Sequence, residues 1–418
     1  MASSRFRATT ATSRRDAWLA ATVAIPLYVA ACALPDGGLF RAARFRDVHL
    51  YGGFAHTVFA GHVPYRDFFM EYPPGALAVF LPPEVFGAAH YNAAFKTLMT
   101  LCGAATIVVL ALLLVRLGAT RARLWSALLL FVFAPVALGP ISLNTYDAWP
   151  ALLTVAALAL LVAALPVVAF AVLGLAFAAK VYPVVLVPPA LIFVWRTAGR
   201  RVAVWSLAAF AAVAALVIAP FLALAPHGLV DSFRAQAARA LQVESLGGSL
   251  LGAADRVGWY GAHVVHHTGH AISYDLSGSL PRVVAALSSV AQVVAVVAVA
   301  WLYARGRDEP QRLAIAFAAA IAGFLAFTRF FSPQYLVWVV PFVLLLQPLE
   351  WALTAAALVL AQVWFFHYSD VFALGGYVWL VALRDVLVLV LFAVLCRRAV
   401  EDEHAVALED EAPVGVTP

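Results

Sequence analysis

Residues 91–123 read YNAAFKTLMTLCGAATIVVLALLLVRLGATRAR. From Tyr91 to Val115 the only charge is Lys96, so the run exceeds the roughly 20 apolar residues that carry an α-helix across a bilayer core. It stops at Arg116, Arg121 and Arg123, and fixed positive charge at the end of an apolar run marks the cytoplasmic side. The same unit repeats outward in both directions. Arginines also cluster at Arg5/Arg7/Arg14/Arg15, Arg196/Arg200/Arg201, Arg305/Arg307/Arg312 and Arg397/Arg398. With all five clusters on one side, an even number of spans must separate each pair. The apolar runs supply them at about 18–35, 91–116, 124–140, 147–165, 167–179, 181–195, 203–223 and 282–303, with four more between 311 and 396.

The expected fold is therefore all-α: a polytopic membrane protein of about twelve transmembrane helices with both termini cytoplasmic. Composition agrees, with 64% hydrophobic and 12% charged residues. A soluble chain of 418 residues needs far more charge. Residues 1–17 read as a cytoplasmic tail, 18–396 as one membrane domain and 397–418 as an acidic, disordered tail. The first apolar stretch lacks a small-residue cleavage site and reads as a retained helix. Residues 75–87, bounded by Pro73, Pro74, Pro82 and Pro83, are too short to span and read as re-entrant. Lys180-Val181-Tyr182-Pro183 breaks two short spans, an arrangement tolerated where protein or a water-filled cavity satisfies the backbone.

The net charge of +5 reflects topology and carries no nucleic-acid signal. Cys32, Cys102 and Cys396 lie in or beside spans without ligand spacing. His263, His266, His267 and His270 suggest a metal cluster, but no Cys or carboxylate pattern accompanies them, so they read as a solvated loop and no metal is expected. No Walker motif, dinucleotide fingerprint or nucleophile elbow is present, which argues against ATP-driven transport and hydrolysis.

On this topology the unusual polar residues gather outside. Val48, Tyr51, Ala55, Val58 and Phe59 recur at helical spacing, so residues 48–60 form an amphipathic interfacial helix with Asp47 and Tyr51 on one face. Asp47 is either its N-cap or a general base that takes a proton from a hydroxyl. Asp67 reads as a solvated charge. Glu71, before Tyr72-Pro73-Pro74, can anchor its loop through Arg66 or orient substrate hydroxyls. Asp147 is a second candidate cap, with Pro150 in the first turn. Lys180, an ionisable group in an apolar stretch, faces a cavity or partner, or snorkels to the interface. Arg239 and Glu244 lie in the long outer loop, where they can also pair. Arg329 precedes Ser332-Pro333-Gln334-Tyr335 at the outer end of a span. Lys180, Arg239 and Arg329 together suit a phosphate-bearing ligand. Arg384 and Asp385 lie inside the last span. As adjacent helix positions they do not face each other, and each needs its own partner.

The ordered set Asp47-x-x-x-Tyr51, Gly61-x-x-Pro64-Tyr65, Glu71-Tyr72-Pro73-Pro74, Tyr146-Asp147, Lys180-x-Tyr182-Pro183, Arg239 through Ser245 and Ser332-Pro333-Gln334-Tyr335 resembles glycosyltransferase family 87, of the C-type superfamily. The resemblance covers about residues 16–396. It departs from the family at Arg329-Phe330, where a lysine is more usual. It implies a C-type architecture and an inverting transfer of a hexose, mannose above all, from a polyprenyl-phosphate sugar to a lipid or glycan acceptor. The reaction would lie on the extracytoplasmic side of a bacterial plasma membrane, with no cofactor and no obligatory metal. It implies Asp47 as the catalytic base, with Glu71, Tyr72, Asp147, Lys180, Arg239, Glu244, Arg329, Gln334 and Tyr335 as substrate-binding candidates. The alternative is a transporter or flippase of a lipid-linked sugar, since broken helices around a charge also mark transporters.

Overall fold

The computed structural model describes residues 12–34, 47–267 and 273–410, with side chains to residue 400. Helix α1 (Arg14–Ala33) starts at a capping box between Ser13 and Asp16. Next come α2 (Asp47–Phe59), a 3-10 turn (Pro74–Ala76), α3 (Leu77–Phe80) and a second 3-10 turn (Pro82–Phe86). Helices α4 (Tyr91–Arg116), α5 (Arg121–Leu138), α6 (Ile141–Asn144), α7 (Ala148–Val162) and α8 (Pro166–Ala179) follow. A third 3-10 turn (Tyr182–Leu186) runs into α9 (Val187–Ala198) and α10 (Arg200–Leu224). The long segment between α10 and the next long helix holds α11 (Pro226–Ala237), β1 (Leu241–Gln242), α12 (Leu246–Arg256), β2 (His263–His267) and β3 (Ser273–Ser277). Helices α13 (Ser279–Arg305) and α14 (Pro310–Ala326) precede a fourth 3-10 turn (Pro333–Trp338) and α15 (Val340–Val343). The chain ends with α16 (Pro348–Phe365), α17 (Tyr368–Phe372) and α18 (Val378–Asp410).

Among the described residues, seven helices are long and apolar enough to cross a membrane: α1, α4, α5, α10, α13, α16 and the Val378–Val400 part of α18. Shorter apolar stretches, including Ala148–Val162, Pro166–Ala179, Tyr182–Ala198, Pro310–Ala326 and Pro333–Val343, fall under the usual spanning length. α14 is buried almost throughout, between α13 and α18.

The arginine clusters meet at one end of the bundle. Arg121 pairs with Asp16 at 3.0 Å, and Arg196 pairs with Asp308 at 3.0 Å. Arg123 donates to the carbonyls of Leu345 and Leu346. Arg398 pairs with Glu350, and Arg312 donates to the Ala399 carbonyl at 3.3 Å. The acids Asp16 and Glu350 stand in the first turns of α1 and α16, where the helix dipole favours negative charge.

The fold is mostly helical, as expected, with one small antiparallel three-stranded sheet in the order β1–β3–β2. Two expectations are corrected. His263, His266 and His267 lie on strand β2, paired to β3, and not in a solvated loop; His270 is outside the described residues. Backbone pairing satisfies the amides of this polar stretch, a need that apolar periodicity does not register. Helix α18 continues to Asp410, into the stretch read as a disordered tail; residues 411–418 are outside the described set.

Residues 74–86 form two 3-10 turns around the single turn of α3, with the Tyr91 hydroxyl donating to the Phe80 carbonyl at 2.9 Å. Helix α2 buries Val48, Tyr51 and Ala55, as its spacing predicts.

Candidate active site

Three tyrosines organise the end of the bundle away from the arginine clusters. Tyr51 stacks on Phe80 at 4.3 Å and meets Tyr72 and Tyr146 edge-on at 5.5 and 5.7 Å. Tyr72 and Tyr146 meet at 5.3 Å. Edge-to-face rings at such separations attract through their quadrupoles. Each tyrosine stands beside an acid in sequence: Asp47 one helical turn before Tyr51, Glu71 just before Tyr72, and Asp147 just after Tyr146. Packing the rings therefore gathers the three carboxylates.

Two cations balance them. The Lys180 ammonium lies 2.5 Å from Asp147 Oδ1, which also accepts from the Trp338 indole at 2.6 Å. Lys180 is in extended conformation at the α8 terminus and is ringed by Tyr146, Tyr335 and Trp338 at 4.5–4.9 Å. A desolvated cation gains from such aromatic faces. Arg239 pairs with Glu71 at 3.1 Å and lies over Phe330. Helix α11 fixes the neighbouring backbone: Ser232 donates to the Met70 carbonyl at 2.7 Å and Gln236 to the Glu71 carbonyl at 3.1 Å. Tyr65 ties the Gly61–Tyr65 turn to the same place, its hydroxyl donating to the Tyr72 carbonyl.

The charges feel one another. The Asp47 carboxyl is pushed up to about 7, first by burial, then by the negative Glu71 and Asp147, against the pull of Lys180. Burial raises Glu71 as well, opposed mainly by Arg239. Glu244 is pushed up to about 8 by burial, with Asp385 and Asp275 adding to the rise and Arg384 and Arg239 opposing it. A carboxylate near neutrality at an enclosed site suits proton transfer.

Several expectations change in detail. Asp147 makes no side-chain cap bond to α7 and instead binds Lys180 and Trp338. Lys180 neither snorkels nor stands alone. Arg66 pairs with Asp67 at 2.9 Å, so Glu71 is held by Arg239 and not by Arg66. Arg239 pairs with Glu71 and not with Glu244. Arg329 is not brought into the cluster: its guanidinium is exposed and donates to the Ala237 carbonyl, while its own carbonyl accepts from Gln242 at 2.9 Å. Gln334 is half-buried beside Tyr335 and makes no hydrogen bond among the described residues. Arg384 and Asp385 do touch, at 2.8 Å. The contact is off-axis for a hydrogen bond, and each also finds a separate partner.

Trp338 was missed. The signal lies in Pro333–Trp338: on a 3-10 turn residues three apart eclipse, so Tyr335 and Trp338 stack at 4.3 Å. Asp147 Oδ2 and Arg239 Nε are buried without a partner among the described residues, leaving one acceptor and one donor available in the cluster. Among the described residues no group of three or more His, Cys, Asp or Glu side chains is arranged to hold a metal ion.

No curated protein matches the sequence. The family model for glycosyltransferase family 87 matches residues 69–333, more than half of the chain; the match takes in Glu71, Asp147, Lys180, Arg239, Glu244 and Arg329 and leaves Asp47, Gln334 and Tyr335 outside its limits. A sugar donor and an acceptor are what such a site must bring together, and this helical, apolar chain belongs to glycosyltransferase family 87, a membrane glycosyltransferase.

Proposed function

We propose that the protein transfers a hexose, mannose above all, from a polyprenyl-phosphate sugar to a lipid or glycan acceptor on the extracytoplasmic face of a bacterial plasma membrane. The observation that carries this reading is the convergence of Asp47, Glu71 and Asp147 around Lys180 and Arg239, at the outer end of a bundle whose arginines gather at the other end. In this reading the seven long helices and the five shorter apolar stretches named above make twelve crossings, with both termini cytoplasmic.

The step is a single displacement. Asp47 takes the proton of the acceptor hydroxyl, whose oxygen lone pair forms the new bond to the anomeric carbon. The bond from that carbon to the phosphate oxygen breaks, its electron pair leaves with the lipid phosphate, and the configuration inverts. Positive charge fixed beforehand lowers the cost of the developing phosphate charge without reorganisation. Arg239 and Lys180 supply it, each balanced by an acid so that neither is a bare buried charge in the resting site. Asp147 Oδ2 accepts from a sugar hydroxyl, and the Tyr335 and Tyr72 rings give the sugar an apolar wall. Arg329 stands outside this set. No metal is required, because protein cations do the work of a metal clamp.

The test is transfer of label from radiolabelled polyprenyl-phosphate mannose to a product in a membrane lipid extract, with purified protein. Asp47→Asn, nearly isosteric, lowers the rate by about 10²–10⁴-fold, the usual worth of a general base, in a normally folded protein. Wild-type activity in that variant removes Asp47 from its role. Label carried across vesicles without chemical change makes the protein a transporter instead.

A further inference from the structure

Arg384 and Asp385 sit in the second turn of the last long helix, 0% and 1% exposed. Two fully buried charges in a spanning helix are costly and are kept where they bind something specific. Neither touches the Lys180 or Glu71 pair. Arg384 reaches two segments that supply site residues. Its Nη2 donates to the Glu244 carbonyl at 2.7 Å and lies 3.5 Å from the Phe331 carbonyl. Its guanidinium also stacks over the Phe331 ring at 4.0 Å. Asp385 accepts from the Ser249 hydroxyl at 2.6 Å, on the first turns of α12. The 239–249 segment carries Arg239 and Glu244, and Phe331 immediately precedes the Ser332–Tyr335 stretch.

We infer that Arg384 and Asp385 are positioning residues: a buried clamp on α18 that holds the Arg239–Ser249 segment and the Phe331–Tyr335 segment in register, so that Arg239 and Tyr335 face one ligand. A guanidinium suits the task because its planar fork bonds one segment while its face stacks on the other. Supporting groups of this kind set the geometry of a site without touching substrate. The inference rests on the transferase reading only for what the clamp serves; the clamp itself is structural.

The test uses the full chain in a bilayer disc, with Arg384→Met/Asp385→Leu. Replacing a buried ion pair by apolar side chains of similar size commonly preserves stability, which separates positioning from folding. Two readouts are taken at unchanged melting temperature. Amide exchange over residues 242–249 speeds up about tenfold while that of α4 and α14 stays fixed, and the donor KM rises about tenfold with a smaller change in kcat, each a loss of about 1.4 kcal/mol. Arg384→Lys, which keeps charge but loses the fork, falls between. If the double variant does not fold, Ser249→Ala removes one clamp bond and is read in the same two ways. Unchanged exchange overturns the clamp. Faster exchange with a wild-type donor KM overturns its positioning role. Exchange needs no substrate, so it judges the clamp even where wild-type protein transfers nothing, a result that would fell the transferase reading alone.

Discussion

Asp47 shows how one side chain takes its chemistry from its surroundings. Burial and two nearby carboxylates hold it near 7, so it is only partly ionised at neutral pH. A base must be ionised to act, hence kcat/KM should rise with pH through about 7, and Glu71→Gln, which removes one negative neighbour, should move that limb to lower pH. A pH–rate profile of the two proteins checks this. Stability runs the other way. A carboxyl raised in the folded state binds its proton more tightly there than in the unfolded chain. Its contribution is therefore greatest below the unfolded value near 4 and is lost as pH rises through the folded value. Asp47→Asn should consequently melt higher than wild type at about pH 8, with the gap closing toward about pH 5, as read by thermal scans. At Lys180 the sign is set by pairing. Lys180→Met strands the buried Asp147 carboxylate and should cost about 3–5 kcal/mol. Lys180→Met/Asp147→Leu should recover most of that stability and none of the transfer, measured by denaturation and label transfer together.

Elements meet closely where the site needs them to. The Pro74–Ala76 turn packs on the end of α8, so that a Cβ on Gly75 would lie 2.6 Å from the backbone of Ala178 and Ala179, immediately before Lys180. Those backbone atoms cannot yield without moving the lysine. Gly75→Ala should cost about 1–3 kcal/mol and shift Lys180 off Asp147, lowering transfer; melting and rate measurements on that variant check it. The β1–β3–β2 sheet has its own small core, where Leu241, Val243 and Leu276 pack with Trp364, Val371 and Val381. That core seats the segment between α10 and α13 on α16–α18, the face from which Arg384 reaches in.

Across the whole molecule, charge sorts the two ends. Arginines and their acid or carbonyl partners bind helix ends on one side, and the acid-rich cluster occupies the other. If that sorting follows the membrane potential and the positive-inside rule, Trp259, 86% exposed in the segment between α10 and α13, lies outside the cell. Trp259→Cys should react with a membrane-impermeant maleimide in intact cells, while Arg200→Cys, at the arginine end, should react only after permeabilisation. Cys32 and Cys102 are buried, and replacing the half-buried Cys396 by Ser in both variants should leave a low background.

Long apolar runs and arginine spacing by themselves determined the helical membrane class and grouped the arginines at one end, because burial in hydrocarbon and fixed charge act on short stretches of chain. The candidate acids were legible too: Asp47, Glu71 and Asp147 are each neighbours of a tyrosine in one-dimensional spacing. What those acids bind was decided by tertiary structure alone. Lys180 meets Asp147 across 33 residues and Arg239 meets Glu71 across 168, and nothing local signals either pairing. Arg329 looked equivalent to these cations as a residue type, yet its backbone position turns it to the Ala237 carbonyl. The sheet and Arg384's two contacts were likewise invisible, since each depends on which distant segments the bundle brings within a few ångströms.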